Sequence, residues 1–287
     1  MEHNRWAKSW LCDMDGVLIR DGAMVKGADK FLERLRVTSR SFLILTNNSL
    51  YTPRDLRLRL MKMGLEVRED QLWTSALATA QFVHWQRPKG TAFVIGEDSL
   101  HSAVAEVGYR ETTEQPDYVI LGETHHYSFE DIAMAEKLIK KGSHFVATNP
   151  EPTGPKPEME ETLTSCGDVA ALIERATGVA AYFIGKPNPI MMREGLARLG
   201  ATSERTVMIG DRMDTDVLGG MESGLETILV LSGVTDHDDV NHFPYRPSRI
   251  INSVADLLEE LDGPAKRLPI PKNRTEVLRL LKRPARH

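Results

Sequence analysis

Two carboxylates one residue apart, Asp13 and Asp15, close an apolar run from Trp10 to Cys12, and Gly16 follows them. An apolar run that empties into acidic residues and a glycine reads as a buried strand ending in a turn. Residues i and i+2 of a strand share a face, so both carboxylates point one way at the strand's C-terminal edge, where open α/β sheets hold their ligands. Like charges this close repel, and they settle only with a cation between them or a proton on one. A solitary Asp-x-Asp-Gly is also a common turn, because Asp and Gly suit turns. Partners elsewhere in the chain decide between the two.

Three further strand ends supply partners. Phe42 to Leu45 runs into Thr46-Asn47, Tyr182 to Ile184 into Gly185-Lys186-Pro187, and Val207 to Ile209 into Gly210-Asp211, with Asp214 and Asp216 close behind. In a parallel sheet all four ends open on one edge. Several carboxylates, one amine and a hydroxyl–amide pair suit a divalent metal and a phosphate. Carboxylate oxygens match hard Mg²⁺, and lysine offers phosphate a point charge. The Thr46 hydroxyl and the side chain or backbone N–H of Asn47 can donate to the same anion. Each partner alone has a plainer explanation: an Asn-rich turn, a surface lysine, or helix caps at Asp214 and Asp216. All four falling at consecutive strand ends favours chemistry. His125 and His126 read as a solvated loop pair and are assigned no metal.

The elements that must position these groups alternate. Ala28, Phe31, Leu32 and Leu35 mark an amphipathic helix. Thr52 caps another, with Pro53 at its first position and Leu56, Leu60 and Met63 on its inner face. Strands over Thr91–Ile95, Asp117–Leu121 and His144–Thr148 alternate with helices over Ser99–Val107, Phe129–Lys141 and Asp168–Ala176. A helix from about Pro189 to Leu199 and a strand from Thr227 to Leu231 complete the series. Such alternation predicts a parallel α/β fold. A proline-rich loop, Pro150 to Pro157, interrupts it.

The 287 residues suffice for two modest domains. The net charge of −5 argues against a chain built for nucleic acid. Cys12 and Cys166 are too few for a disulfide framework. Met1 to Ser9 is polar, and no apolar run approaches the ~20 residues of a membrane span; the expectation is a soluble, cytoplasmic protein. From Pro264 onward eight basic side chains face the single acid Glu276. This tail reads as a solvated extension. Within it Thr275–Leu281 could form a short helix docking on the body or on a second subunit, which leaves a homo-oligomer open.

Taken in order, these motifs resemble the haloacid dehalogenase superfamily of phosphohydrolases, and within it the NagD-like phosphatases. Asp13 to Val17, Leu45 to Asn48, Gly122-Glu123-Thr124, Ala147 to Pro150, Gly185 to Pro187, Gly210 to Asp216 and Gly224 to Val234 carry the resemblance, over about residues 9 to 262. It implies a Rossmann-like doubly wound parallel sheet core with an inserted smaller α/β cap domain. The core would comprise residues 1–77 and 181–263, the cap 78–180, and the basic tail 264–287.

The resemblance also implies roles. Asp13 is the nucleophile and forms an aspartyl-phosphate. Asp15 protonates the leaving alcohol and then activates water. Mg²⁺ takes the Asp13 carboxylate, the Asp15 backbone carbonyl and Asp211, with Asp216 holding a metal water or orienting Lys186. Thr46, Asn47 and Lys186 hold the phosphoryl oxygens. Glu123, Asn149 and the loop Glu151 to Gly167 of the cap contact the substrate. Members often carry Asp after Asn-Pro, where this chain has Glu151. Asp168 reads as a helix N-cap. The substrate is a small phosphorylated metabolite: a nucleoside monophosphate (favoured by resemblance), a sugar phosphate, phosphoglycolate or 4-nitrophenyl phosphate. A phosphotransferase or phosphomutase would use the same aspartyl-phosphate, and a phospho-accepting signalling domain would share Asp, Thr and Lys at strand ends. The insert and the Asp211–Asp216 motif argue against the latter. Asp15 argues against a dehalogenase.

Overall fold

The computed structural model describes residues 9–151 and 165–262. Met1 to Lys8, most of the proline-rich loop and of the cap loop (152–164), and the basic tail with its expected helix lie outside the described residues.

The chain opens with β1 (Ser9–Cys12), a small antiparallel pair β2 (Ile19–Arg20) and β3 (Ala23–Met24), α1 (Ala28–Val37), β4 (Phe42–Thr46), α2 (Pro53–Lys62), β5 (Leu72–Thr74) and α3 (Ser75–Gln86). There follow β6 (Thr91–Ile95), α4 (Asp98–Glu106), β7 (Arg110–Glu111), β8 (Tyr118–Leu121), α5 (Phe129–Lys140), β9 (His144–Ala147), α6 (Cys166–Thr177) and β10 (Tyr182–Phe183). The last set is α7 (Pro189–Leu199), β11 (Thr206–Gly210), a π-helical turn Met213–Val217 leading into α8 (Leu218–Glu222), β12 (Glu226–Val230), β13 (Arg249–Ile251) and α9 (Leu258–Asp262).

Two parallel sheets result. The larger has the order β13-β12-β11-β1-β4-β5, and the smaller β10-β9-β8-β6-β7. Strands buried on both faces explain the unbroken apolar runs of the sequence. In β1 and β4, Trp10, Cys12, Phe42 and Ile44 face one cluster, with Phe31, Leu32 and Leu35 of α1. Leu11, Leu43 and Leu45 face the other, with Met191 and Met192 of α7. Cutting Leu11 or Leu43 to Ala would cost about 2–5 kcal/mol, because the layers cannot close over the void.

The helix starts follow local rules. Thr52 accepts the N–H of Asp55 and Pro53 occupies the first turn of α2, as expected. Leu56 and Leu60 are buried, while Met63 caps the C-terminus and is half-buried. α6 starts two residues before its expected position. Ser165 is its N-cap and Asp168 reciprocates from the third position, so Asp168 completes a capping box rather than capping the helix itself.

Several elements, among them β5, α3, β7 and β13, have no counterpart in the sequence reading. Short β5 extends the larger sheet and leads directly into α3. α3 buries Ala76, Ala78, Thr79, Ala80 and Val83, and it packs on α4 beside the smaller sheet and on α7 beside the larger. Residue 77, drawn as a boundary from sequence, falls within this helix. β10 pairs with β9 in the smaller sheet, so the chain returns to the larger sheet only after Phe183.

Candidate active site

Asp13, Thr46, Asn47 and Asp211 stand at the C-terminal ends of neighbouring strands of the larger sheet, whereas Lys186, expected on that same edge, follows a strand of the smaller sheet. The Asp13 N–H continues the ladder of β1 by donating to Ile209 O at 2.8 Å, which fixes where its carboxylate emerges. Asp211 follows β11, Thr46 ends β4, and Asp216 comes from the π-helical turn. Lys186 arrives from the segment between β10 and α7, next to a cis Lys186–Pro187 bond.

Lys186 is buried and donates to Asp13 Oδ1 at 2.5 Å and to Asp216 Oδ1 at 2.7 Å. Carboxylate oxygens of Asp13, Asp211 and Asp216 all lie within 4.8 Å of one another. The backbone is cut away to let them in. At Gly16 (φ +77°), a Cβ would stand 2.4 Å from Asp211 Oδ2, and at Gly233 only 2.0 Å. The Val234 N–H holds that same oxygen at 2.7 Å. Asp216 is fixed by the Arg212 N–H at 3.1 Å. Asp214 is exposed, pairs with Arg212 and stands outside the cluster.

Three carboxylates thus share one ammonium. Burial pushes Asp13 up to about 7; Asp211 and Asp15 add to this and Lys186 opposes it. Burial and Asp13 likewise take Asp216 to about 7 against the pull of Lys186. Burial and Asp216 take Asp211 to about 6. Burial pulls the Lys186 ammonium down, but Asp13 and Asp216 more than offset it, so the amine stays charged. Asp15 presents surface to solvent, yet enough protein surrounds it that lost hydration, with Asp211 and Glu123, pushes it up to about 6. An all-oxygen cluster that grips protons this tightly fits a hard divalent cation.

Asn47 does more than its sequence suggested. Its Oδ1 accepts the Lys186 N–H at 2.7 Å, and its Nδ2 donates to Lys186 O at 2.9 Å and to Glu151 Oε1 at 2.5 Å. The amide is therefore spent on holding the lysine's backbone. The Thr46 hydroxyl accepts the Asn48 N–H at 3.1 Å, a bond that uses a lone pair and not its proton.

Of the expected cap contacts, Glu123 is half-buried and Asn149 fully buried. Asn149 Nδ2 donates to Glu123 Oε1 at 3.3 Å, and Asn149 Oδ1 accepts from Thr148 Oγ1 at 2.7 Å. Both stand after strands of the smaller sheet, whose C-terminal edge meets that of the larger sheet at Ser49. Ser49 is fully buried. Its Oγ accepts the Glu123 N–H at 2.9 Å and lies 3.3 Å from the Thr148 hydroxyl oxygen, and its carbonyl accepts from Ser99 Oγ. No periodicity marks a buried serine in a loop; only its place directly after Thr46-Asn47-Asn48 could have signalled it. His125 and His126 are exposed and join no metal-binding cluster among the described residues.

Comparisons with known proteins place the chain in a family. The haloacid dehalogenase-like hydrolase model matches residues 10–110, and a second, HAD-hydrolase-like model matches 183–257. The chain belongs to the haloacid dehalogenase-like hydrolases. Dihydroxyacetone phosphatase of Corynebacterium glutamicum is 52% identical over 89% of this chain and 92% of its own. Ribonucleotide monophosphatase NagD of Escherichia coli is 39% identical over 87% of this chain and 98% of its own. The solved NagD structure superposes with a TM-score of 0.81, covering 88% of this chain and 98% of that one. A p-nitrophenyl phosphatase from Archaeoglobus fulgidus, 28% identical over 88% of this chain and 99% of its own, gives 0.82. Within the family, therefore, this is a NagD-like phosphatase acting on small phosphoesters. No described helix is long and apolar enough to cross a membrane.

Proposed function

We propose that the enzyme is a Mg²⁺-dependent phosphatase that hydrolyses short, oxygen-rich phosphomonoesters through an aspartyl-phosphate. The buried set of Asp13, Asp211 and Asp216 around a single Lys186 carries this reading. An anionic nucleophile meeting a phosphate dianion faces repulsion of about 4 kcal/mol per charge pair at ~4 Å and an effective dielectric near 20. Local positive charge must reverse that sign.

Asp13 attacks phosphorus, and the P–O bond to the leaving alcohol breaks. Asp15 delivers its proton to that departing oxygen. With its carboxylate raised to about 6, it holds or releases a proton near neutrality, as both half-reactions require. It then takes a proton from the water that attacks the aspartyl-phosphate, so Asp13 and inorganic phosphate are released. Lys186, the Thr46 hydroxyl and the Asn47 backbone N–H hold the phosphoryl oxygens. Asp13, the Asp15 carbonyl, Asp211 and Asp216 would hold Mg²⁺, which when bound neutralises charge on the phosphoryl group. The smaller sheet and its helices act as a cap, with Glu123 and Asn149 facing the substrate and water excluded beneath them.

The resemblance alone favoured nucleotides. The 52% identity to a dihydroxyacetone phosphatase shifts the proposal to triose-sized phosphates, with 4-nitrophenyl phosphate as an artificial substrate. The test is phosphate release from dihydroxyacetone phosphate, ribonucleoside monophosphates and 4-nitrophenyl phosphate, with Mg²⁺ and with a chelator. Repeated turnover that stops on chelation and is fastest on the triose ester is expected. Turnover that persists without divalent metal would remove Mg²⁺ from the mechanism.

A further inference from the structure

Asp15 also borders a cavity of about 70 Å³ that Asp13, Lys186, Asp211 and Asp216 do not line. Its walls include Met14, Ile19, Asn48, Tyr51 and Arg59. At about 15 Å³ for each water-sized group, it holds on the order of five heavy atoms. That is room for a short carbon skeleton and too little for a nucleoside. Most of the wall is apolar; Arg59 is its cation.

Arg59 lies on the exposed side of α2, yet it is not a loose surface arginine. Its guanidinium carbon stands 3.7 Å from the centre of the Tyr51 ring. Stacking on an aromatic face holds the guanidinium flat and leaves its N–H edge to bond in the ring's plane. Arg59 and Asp15 line the same cavity. An arginine can only donate, so in this position it selects oxygen acceptors.

We propose that this cavity receives the leaving group, and that Arg59 sets specificity by donating to a carbonyl or hydroxyl oxygen a few atoms beyond the ester oxygen at Asp15. The assignment rests on the phosphatase reading, with Asp15 as the proton donor, and names the substrate feature that reading leaves open. The substrates it selects are short phosphomonoesters bearing an acceptor oxygen near the ester; alkyl phosphates of equal length lack that contact.

The test compares dihydroxyacetone phosphate with n-propyl phosphate, in wild type, Arg59→Met and Arg59→Lys. Wild type is expected to prefer the oxygenated ester at least tenfold in kcat/KM. Arg59→Met should shrink that preference at least tenfold, equivalent to about 1.4 kcal/mol, mainly through KM, and Arg59→Lys should recover part of it. Methionine keeps an unbranched stem on the exposed helix face, so the fold is retained. An unchanged preference in Arg59→Met overturns the assignment. So does an equal loss on both esters, which would mean that Arg59 acts on Asp15 or on the helix. Turnover of n-propyl phosphate by wild type tests the phosphatase reading separately, because the ratio and not the rate bears on Arg59.

Discussion

The C-terminal edges of the two sheets face each other, and they handle polarity in opposite ways. On the larger sheet, Asp13, Asp211 and Asp216 crowd around one lysine, and burial leaves all three holding protons well above the ordinary aspartate range. On the smaller sheet, Ser99, Glu123, Thr148 and Asn149 bond to one another or to Ser49. One edge is electrostatically incomplete and so ready for a cation and a phosphate. The other is nearly complete within itself, which fixes its position over the first. Buried charge without full compensation is costly, so it is concentrated where chemistry uses it. Satisfied hydrogen bonds cost less and serve where only placement matters.

The sharpest way to break this comparison is at Asp13, the proposed nucleophile. Asp13→Asn should lower phosphate release by roughly 10⁴-fold or more, as loss of a nucleophile does elsewhere. Wild-type turnover in that variant would strip the larger edge of its role. Next in size is Asn47→Ala. It frees the Lys186 backbone and Glu151 together, and an ångström of misplacement costs on the order of 10²-fold. A kcat loss of about that size is expected in steady-state kinetics, with secondary structure by circular dichroism unchanged.

A third test reads the charge imbalance without activity. Asp13, Asp211 and Asp216 have folded pKa values of about 6 to 7, raised above the usual 3.8. The folded state therefore binds more protons than the unfolded one across that window. Metal-free stability from these groups is greatest at low pH and falls as pH rises through about 6 to 7. Mg²⁺ held by these carboxylates, as proposed, would compete with those protons. Its addition should raise Tm by about 5 °C at pH 8, as saturating binding does for a chain of this size, and by clearly less at pH 5. An equal rise at both would mean that the cation binds elsewhere.

The smallest effect is expected at the other edge. Ser49→Ala removes the acceptor for the Glu123 N–H, at a cost of about 1–3 kcal/mol for the stranded partner. KM should rise several-fold with kcat little changed. A kcat collapse would show that the smaller edge contributes to chemistry and not to placement alone.

The charged edge was legible in sequence because carboxylates and a lysine directly after apolar runs are conspicuous. Asp13 and Asp211 stand at the strand ends that predicted them, Lys186 joins them from beyond a strand of the other sheet, and the parallel alternation followed from the apolar runs. The other edge was legible only in part: Glu123 and Asn149 were expected there, and the groups that hold them were not. Ser49 has no periodic signature, and the Asn47 amide looked like a phosphate donor because sequence cannot show that it bonds a backbone 139 residues away. α3 escaped because Ala, Thr and Val on several sides give no amphipathic stripe. Arg59 looked like any arginine on a solvated helix face, and only the ring of Tyr51 distinguishes it.

The packing of α3 between α4 and α7 has a consequence for modular redesign. A chimera spliced at residue 77, to borrow another phosphatase's specificity, would sever this helix and mate half of it with a foreign partner. Ala78, Ala80 and Val83 would then meet side chains they did not evolve beside. Exchange of the smaller sheet succeeds only as a larger cassette, spliced ahead of Leu72 and after Phe183, or with the α7 face redesigned to receive the incoming helix. The smaller sheet travels with a piece of the scaffold that carries it.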